Sequence, residues 1–154
     1  MIEEPALERG AASFVVIVGC TRLGSELATR LDLQGCAVRV VDRHAAAFAL
    51  LPRHLARACF EGDPMTPSVL RVAGVEEADV VIAASSQDDL NAALALVCQR
   101  TFGTRRVLAR VDDPRKAASY GRLGIETVCP TNVVAGAFLD LVAHAMNRPV
   151  VGDR

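Results

Sequence analysis

Along this chain, short runs of apolar residues alternate with longer stretches in which apolar positions recur every three or four residues. "SFVVIVG" (13–19), "AVRVVD" (37–42), "LARACFEG" (55–62), "ADVVIA" (78–83), "RRVLARV" (105–111) and "IETVCP" (125–130) each read as a strand. Several are apolar on both faces, the pattern of parallel strands buried between two layers. Between them, Leu23, Leu27 and Leu31 share one helical face, Leu90, Leu94 and Val97 share another, and weaker helical segments occupy roughly 44–52, 67–73 and 114–122. The last segment, "TNVVAGAFLDLVAHAM" (131–146), differs from the others. Val133, Ala137 and Leu141 lie on one face and Val134, Phe138, Val142 and Ala145 on an adjoining one, with only Asp140 and His144 as a polar stripe. That apolar surface is wider than one sheet covers.

Local punctuation agrees with this order of elements. Thr66 before Pro67 and Asp113 before Pro114 are N-cap residues followed by proline at the first helical position, and Ser86 with Asp89 reads as a capping box before "LNAALALVCQ". Six strands joined by helical crossovers predict an α/β fold: a Rossmann-type, doubly wound, six-stranded parallel sheet of order 3-2-1-4-5-6 with a C-terminal crossover helix. The expected domain spans residues 13–146, between tails at 1–12 and 147–154.

Composition narrows the function classes. With 154 residues, 51% hydrophobic and only 4% aromatic, the chain makes one domain whose core is aliphatic, as in helix-covered sheets. The net charge is −1 and Lys116 is the only lysine, so no basic stripe tracks a nucleic acid. The apolar runs are too short to span a bilayer and the N-terminal "MIEEPALERGAAS" is acidic, which predicts a cytoplasmic chain without direct membrane insertion. Five cysteines, none within a CxxC spacing, predict neither zinc nor a disulfide framework. His44, His54 and His144 are scattered, and no Gly-x-Ser-x-Gly elbow is present, so neither a metal nor a catalytic residue is assigned.

The segment with chemistry is "GCTRLGSELA" (19–28), at the end of the first strand, where such sheets bind ligands. Gly19 makes the tight turn, Gly24 lets the first helix pack closely, and the free N–H groups of the helix start attract a phosphate. The middle glycine of the usual Gly-x-Gly-x-x-Gly pattern is Thr21, whose side chain hinders close approach of a pyrophosphate but whose hydroxyl can donate to a phosphate oxygen. Asp42, closing the second strand twenty-three residues after Gly19, is placed to accept from a ribose diol and to repel a 2′-phosphate, which favours NAD or an adenosine nucleotide over NADP. The same carboxylate also suits a plain capping role, and Cys20 reads as a packed thiol in preference to an oxidant sensor.

Taken together, "VVIVGCTRLGSELA", "VRVVDR", "EGDPMTPSVLRVAGVEEADVVIAASSQDDLNAALALV" and "RVLARVDDPRKAASYGRLGIETVCPTNVVA" resemble the N-terminal domain of the regulators of potassium conductance, the TrkA-N or KTN domain of bacterial Trk and Ktr potassium uptake systems. The resemblance implies a non-enzymatic cytosolic regulatory subunit that binds NAD(H) or ATP, ADP or AMP. It implies a homodimer, or a higher ring, that gates a membrane potassium transporter or channel subunit by rearranging. It implies that Gly19, Cys20, Thr21, Arg22, Leu23 and Gly24 face the phosphates, with Arg22 in contact, and that Asp42 and Arg43 meet the ribose and adenine edge. Gly62 and Asp63 would flank the base, Ala84 and Ser85 the second half of the ligand, and Arg110 would line the cleft from the fifth strand. Read by themselves, Arg22 also suits a solvent-facing helix position, Asp63 a turn before Pro64, and Arg110 a pair with Asp112 or Asp113. Besides Thr21, Pro64-Met65 depart from the family's usual Ala-Thr. The chain also ends at Arg154 without the C-terminal lobe of full-length regulators, so a second-ligand sensor is not expected. A small NAD(P)-dependent oxidoreductase and a Rossmann scaffold with a degenerate loop remain open as alternatives.

Overall fold

The computed structural model describes residues 12–146. The expected tails therefore lie outside the described residues, apart from Ala12. The elements are β1 (Phe14–Val18), α1 (Arg22–Leu33), β2 (Ala37–Asp42), two 3-10 turns (Ala45–Leu50 and Arg53–Ala58), β3 (Cys59–Glu61), α2 (Pro67–Ala73), β4 (Val80–Ala83), α3 (Asp88–Arg100), β5 (Val107–Arg110), α4 (Pro114–Arg122), β6 (Glu126–Val128) and α5 (Pro130–Ala145). All strand pairs are parallel and the sheet order is β3-β2-β1-β4-β5-β6, as the alternating pattern predicts.

The period-two alternation of β1 divides the core in two. Val16 and Val18 join Leu70 of α2, Leu94 and Cys98 of α3 and Ala117 of α4 on one side. Val15 and Ile17 join Ala28 of α1 and Leu51 and Leu55 from the 3-10 region on the other. Right-handed crossovers account for this division: the chain winds outward from β1 to β3 over one face, then returns and winds outward to β6 over the opposite face. The first face is consequently covered over β1 to β3 only. Ile82 and Leu108, paired across β4 and β5 on that face, stay half-buried, and Val128 on β6 is 47% exposed. No residue of α5 is buried.

Several local expectations need correction. The strand expected at 55–62 is only Cys59–Glu61, because Leu55 N–H bonds Pro52 O to close a 3-10 turn that buries the Leu55 side chain. The helical segment expected at 44–52 is likewise a 3-10 turn. The capping box of Ser86 and Asp89 does not form. Gln87 is the N-cap of α3, and Asp89 instead accepts from Lys116 Nζ and Tyr120 Oη. Thr66 stands at the N-cap of α2 but its side chain caps nothing, whereas Asp113 accepts from Arg115 N–H at 2.8 Å as expected.

Candidate functional site

The carboxyl ends of β1, β2 and β4 meet around a hollow of about 370 Å³. Two glycines set its geometry. Gly19 has φ +106°, and a Cβ there would lie 2.6 Å from the Ser85 amide nitrogen; a Cβ on Gly24 would lie 2.0 Å from the Gly19 carbonyl oxygen. Both contacts are with backbone, which has no free space to yield, so the turn and the close seat of α1 each demand glycine. Gly19 N–H also donates to Val41 O at 2.8 Å, which fixes the turn to β2.

Asp42 anchors the turn from below. Its Oδ2 accepts from Cys20 N–H at 2.8 Å and its Oδ1 from His44 N–H at 2.9 Å, while the side chain keeps 14% of its surface open. Each carboxylate oxygen accepts more than one bond, so both the capping role and an open acceptor edge coexist. Thr21 is the N-cap of α1: its Oγ1 accepts from Gly24 N–H at 3.1 Å and donates to Ala84 O at 2.8 Å. The hydroxyl's single proton is thereby committed to the protein, which corrects the expectation that it donates to a phosphate oxygen. The N–H groups of Arg22 and Leu23, at the first two helical positions, have no intrahelical acceptor, and the exposed Arg22 side chain forms no ion pair among the described residues.

Of the residues expected at a ligand, Gly19, Cys20, Thr21, Asp42, Arg43 and Ser85 line this hollow. Arg22, Leu23 and Gly24 continue from its rim into α1. Gly62 donates its N–H to Asp42 O at 2.9 Å and packs on Val69, and Asp63 Oδ1 accepts from Met65 N–H at 2.9 Å and from Arg43 Nη2 at 3.2 Å. Asp63 thus makes the turn into α2 and reaches the hollow only through its neighbours Arg43 and Pro64. Ala84 is fully buried beneath Thr21. Arg110 stands apart: both its Nε and Nη2 bond the Asp112 carboxylate, at 2.8 and 2.7 Å, and it borders a different hollow formed with Thr131, Val134 and Phe138. That bidentate bond raises its pKa.

Cys20 is 2% exposed and its Sγ points to Ala47 O at 3.4 Å. Burial, and after it the Asp42 carboxylate, push the thiol up to about 11, which makes it an inert packing group. Sequence reasoning missed Asn91. This fully buried amide accepts from Ser85 N–H and Oγ and donates to Ser85 O and Arg110 O, both at 2.9 Å, tying the ends of β4 and β5 together. Its signal was a lone asparagine inside the apolar run "LNAALALV". Asp88 was missed as well; its carboxylate accepts from the N–H groups of Asp112 and Asp113.

The hollow thus joins a glycine turn at a helix start to a carboxylate at a strand end, a combination that fits the phosphates and ribose of a nucleotide. The family model of the TrkA-N domain matches residues 15–131. The Trk system potassium uptake protein TrkA of Streptomyces coelicolor is 41% identical over 139 residues, covering 90% of this chain and 62% of that protein. The chain spans about three-fifths of the length of this relative. Among solved structures, the GsuK channel bound to NAD superposes with a TM-score of 0.75 at 24% identity, over 90% of this chain and 25% of that one. GsuK bound to ADP gives 0.72 at 24% identity, over 86% and 34%. At that identity the likeness is one of fold.

Proposed function

The chain belongs to the TrkA-N domain family, and from that premise we propose that it is a nucleotide-binding regulatory module of a membrane potassium uptake system, with no catalytic role of its own. The observation that carries this reading is one hollow lined by both the Gly19–Thr21 turn and the Asp42 carboxylate, with the free N–H groups of Arg22 and Leu23 following at its rim. The ligand class is NAD(H) or an adenine nucleotide, in keeping with the NAD and ADP bound in the GsuK structures. The amides of Arg22 and Leu23, with the Arg22 guanidinium, would hold phosphate oxygens, and the open edge of Asp42 would accept from the ribose. A bound nucleotide supplies charge and a sugar edge; the chain responds to it without chemistry.

In this proposal the output passes through α5. Val133, Phe138, Leu139 and Leu141 are each more than 60% exposed, and the half-bare face of β4 to β6 presents Ile82, Leu108 and Val128 alongside Glu126 and Arg110. A homodimer in which these surfaces cover each other would couple two clefts, and a ligand with different affinity for two subunit angles would shift that angle and act on a membrane partner. No helix among the described residues is long and apolar enough to cross a membrane. In this proposal the module works at the cytoplasmic face on a separate membrane potassium transporter or channel subunit, in keeping with its Trk relative.

Calorimetry with AMP, ADP, ATP, NAD and NADH tests the reading directly. Native protein is expected to bind at least one of them below millimolar concentration. Asp42→Ala should weaken all of them by at least about tenfold, since charge-assisted hydrogen bonds of about 1.5–3 kcal/mol are lost. Absence of binding to every nucleotide overturns the proposal and leaves the scaffold alternative.

A further inference from the structure

The cleft is not equally open on its two sides. A dinucleotide on a doubly wound sheet lays one nucleoside over each half and passes its pyrophosphate across the switch point, close to the backbone at the second glycine of the loop. In this chain the switch point lies between β1 and β4, and Thr21 occupies that loop position. Its Oγ1 bonds Ala84 O at 2.8 Å, so a side chain bridges the end of β1 to the end of β4 across the path the pyrophosphate would take. The same oxygen caps Gly24 N–H and removes one amide from the anion-binding set.

On the β4 side, Ser85 is satisfied from within. The N–H and Oγ of Ser85 go to Asn91 Oδ1, at 3.1 and 2.7 Å, and its carbonyl receives Asn91 Nδ2 at 2.9 Å. Since Asn91 is fully buried, exchanging these bonds for bonds to a ligand would strand a buried amide. The β2 side keeps its acceptor edge on Asp42 and its donors on Arg22 and Leu23.

Resting on the nucleotide reading above, we infer that Thr21 makes this cleft selective for an adenosine mononucleotide, AMP, ADP or ATP, over a dinucleotide. Specificity here is a difference of affinities produced by an obstacle to the larger ligand. Calorimetric titration of the native chain, Thr21→Ser and Thr21→Gly with ADP and with NAD is the test. The native chain should bind ADP at least about tenfold more tightly than NAD. Thr21→Ser keeps the hydroxyl and should retain that ratio, while Thr21→Gly should narrow it by tightening NAD. Glycine is itself an acceptable N-cap, so the variant is expected to fold. NAD binding as tight as ADP in the native chain, or an unchanged ratio in Thr21→Gly, overturns the inference while the nucleotide reading stands. Failure of the native chain to bind any adenine nucleotide while it binds NAD overturns the inference alone, and failure to bind either class overturns both.

Discussion

Helix α1 carries Arg22, Glu26, Arg30 and Asp32 among its twelve residues, whereas α5 has only Asp140 and His144 among its sixteen. Yet α1 buries Gly24, Ser25 and Ala28, and α5 buries none of its residues, leaving Phe138 and Leu141 66% and 68% exposed. Burial within one chain depends on which sheet face the connection delivers a helix to. The crossover from β1 to β2 lays α1 flat on two central strands, and small residues on its inner side permit close approach. After β6 no further strand follows among the described residues, so no crossover returns α5 to the sheet. Its apolar surface stays available, beside the half-covered face of β4 to β6, which is why self-association is built into the proposed function.

Phe138→Asp probes the α5 side of the contrast with the largest expected effect. In an isologous dimer both copies lose a buried ring, about 1.5–3 kcal/mol each, so self-association should weaken on the order of a hundredfold or more in sedimentation equilibrium. Thermal stability of the separate subunit should hardly move, because the ring is exposed within its own chain. A native chain that sediments as a monomer at micromolar concentration removes the dimer.

Gly24→Ala probes the α1 side. A methyl 2.0 Å from the Gly19 carbonyl forces α1 off the sheet, at an expected cost of about 3 kcal/mol. In thermal unfolding that amounts to a fall of roughly 6–12 °C for a chain of this size. Melting unchanged from the native chain would mean that α1 is not seated as described. The smallest effect belongs to Gly136→Ala, the matching change in α5. A Cβ there meets no atom within 4 Å, so removing the glycine's backbone entropy should stabilise the helix by about 0.5–1 kcal/mol and raise the melting temperature slightly. If Gly136→Ala destabilised the chain as much as Gly24→Ala, the contrast between the two helices would fail.

Parts of this fold were legible because their causes are local. The helices at 67–73 and 114–122 begin at Thr-Pro and Asp-Pro steps that any chain would read the same way, and the structure starts α2 and α4 at those prolines. The strand order follows from alternation and crossover handedness, which do not depend on individual contacts. Gly19 and Gly24 were legible as turn and packing positions from their spacing alone, and Asp42 from its place at a strand end. By contrast, the segment at 55–62 has the composition of a strand, and only the tertiary burial of Leu55 against Val40, Leu51 and their neighbours in the core holds its first part in a 3-10 turn and shortens β3. The expected capping box at Ser86 failed for a related reason. Asp89 finds Lys116 and Tyr120 on α4, a tertiary alternative whose hydrogen bonds lower the carboxyl pKa.

The same division runs through the site. Sequence alone determined that a glycine turn, a helix start and an acidic strand end come together, because each is set by residues within one crossover of β1. Tertiary structure alone decided what those groups are free to do. Thr21 reaches Ala84, sixty-three residues onward, and Asn91 holds both Ser85 and the end of β5. Hydrogen-bond capacity is finite, and a buried donor or acceptor takes the nearest partner that satisfies it. Which partner is nearest depends on the packing of strands far apart in the chain, and no local pattern of residue types encodes that distance.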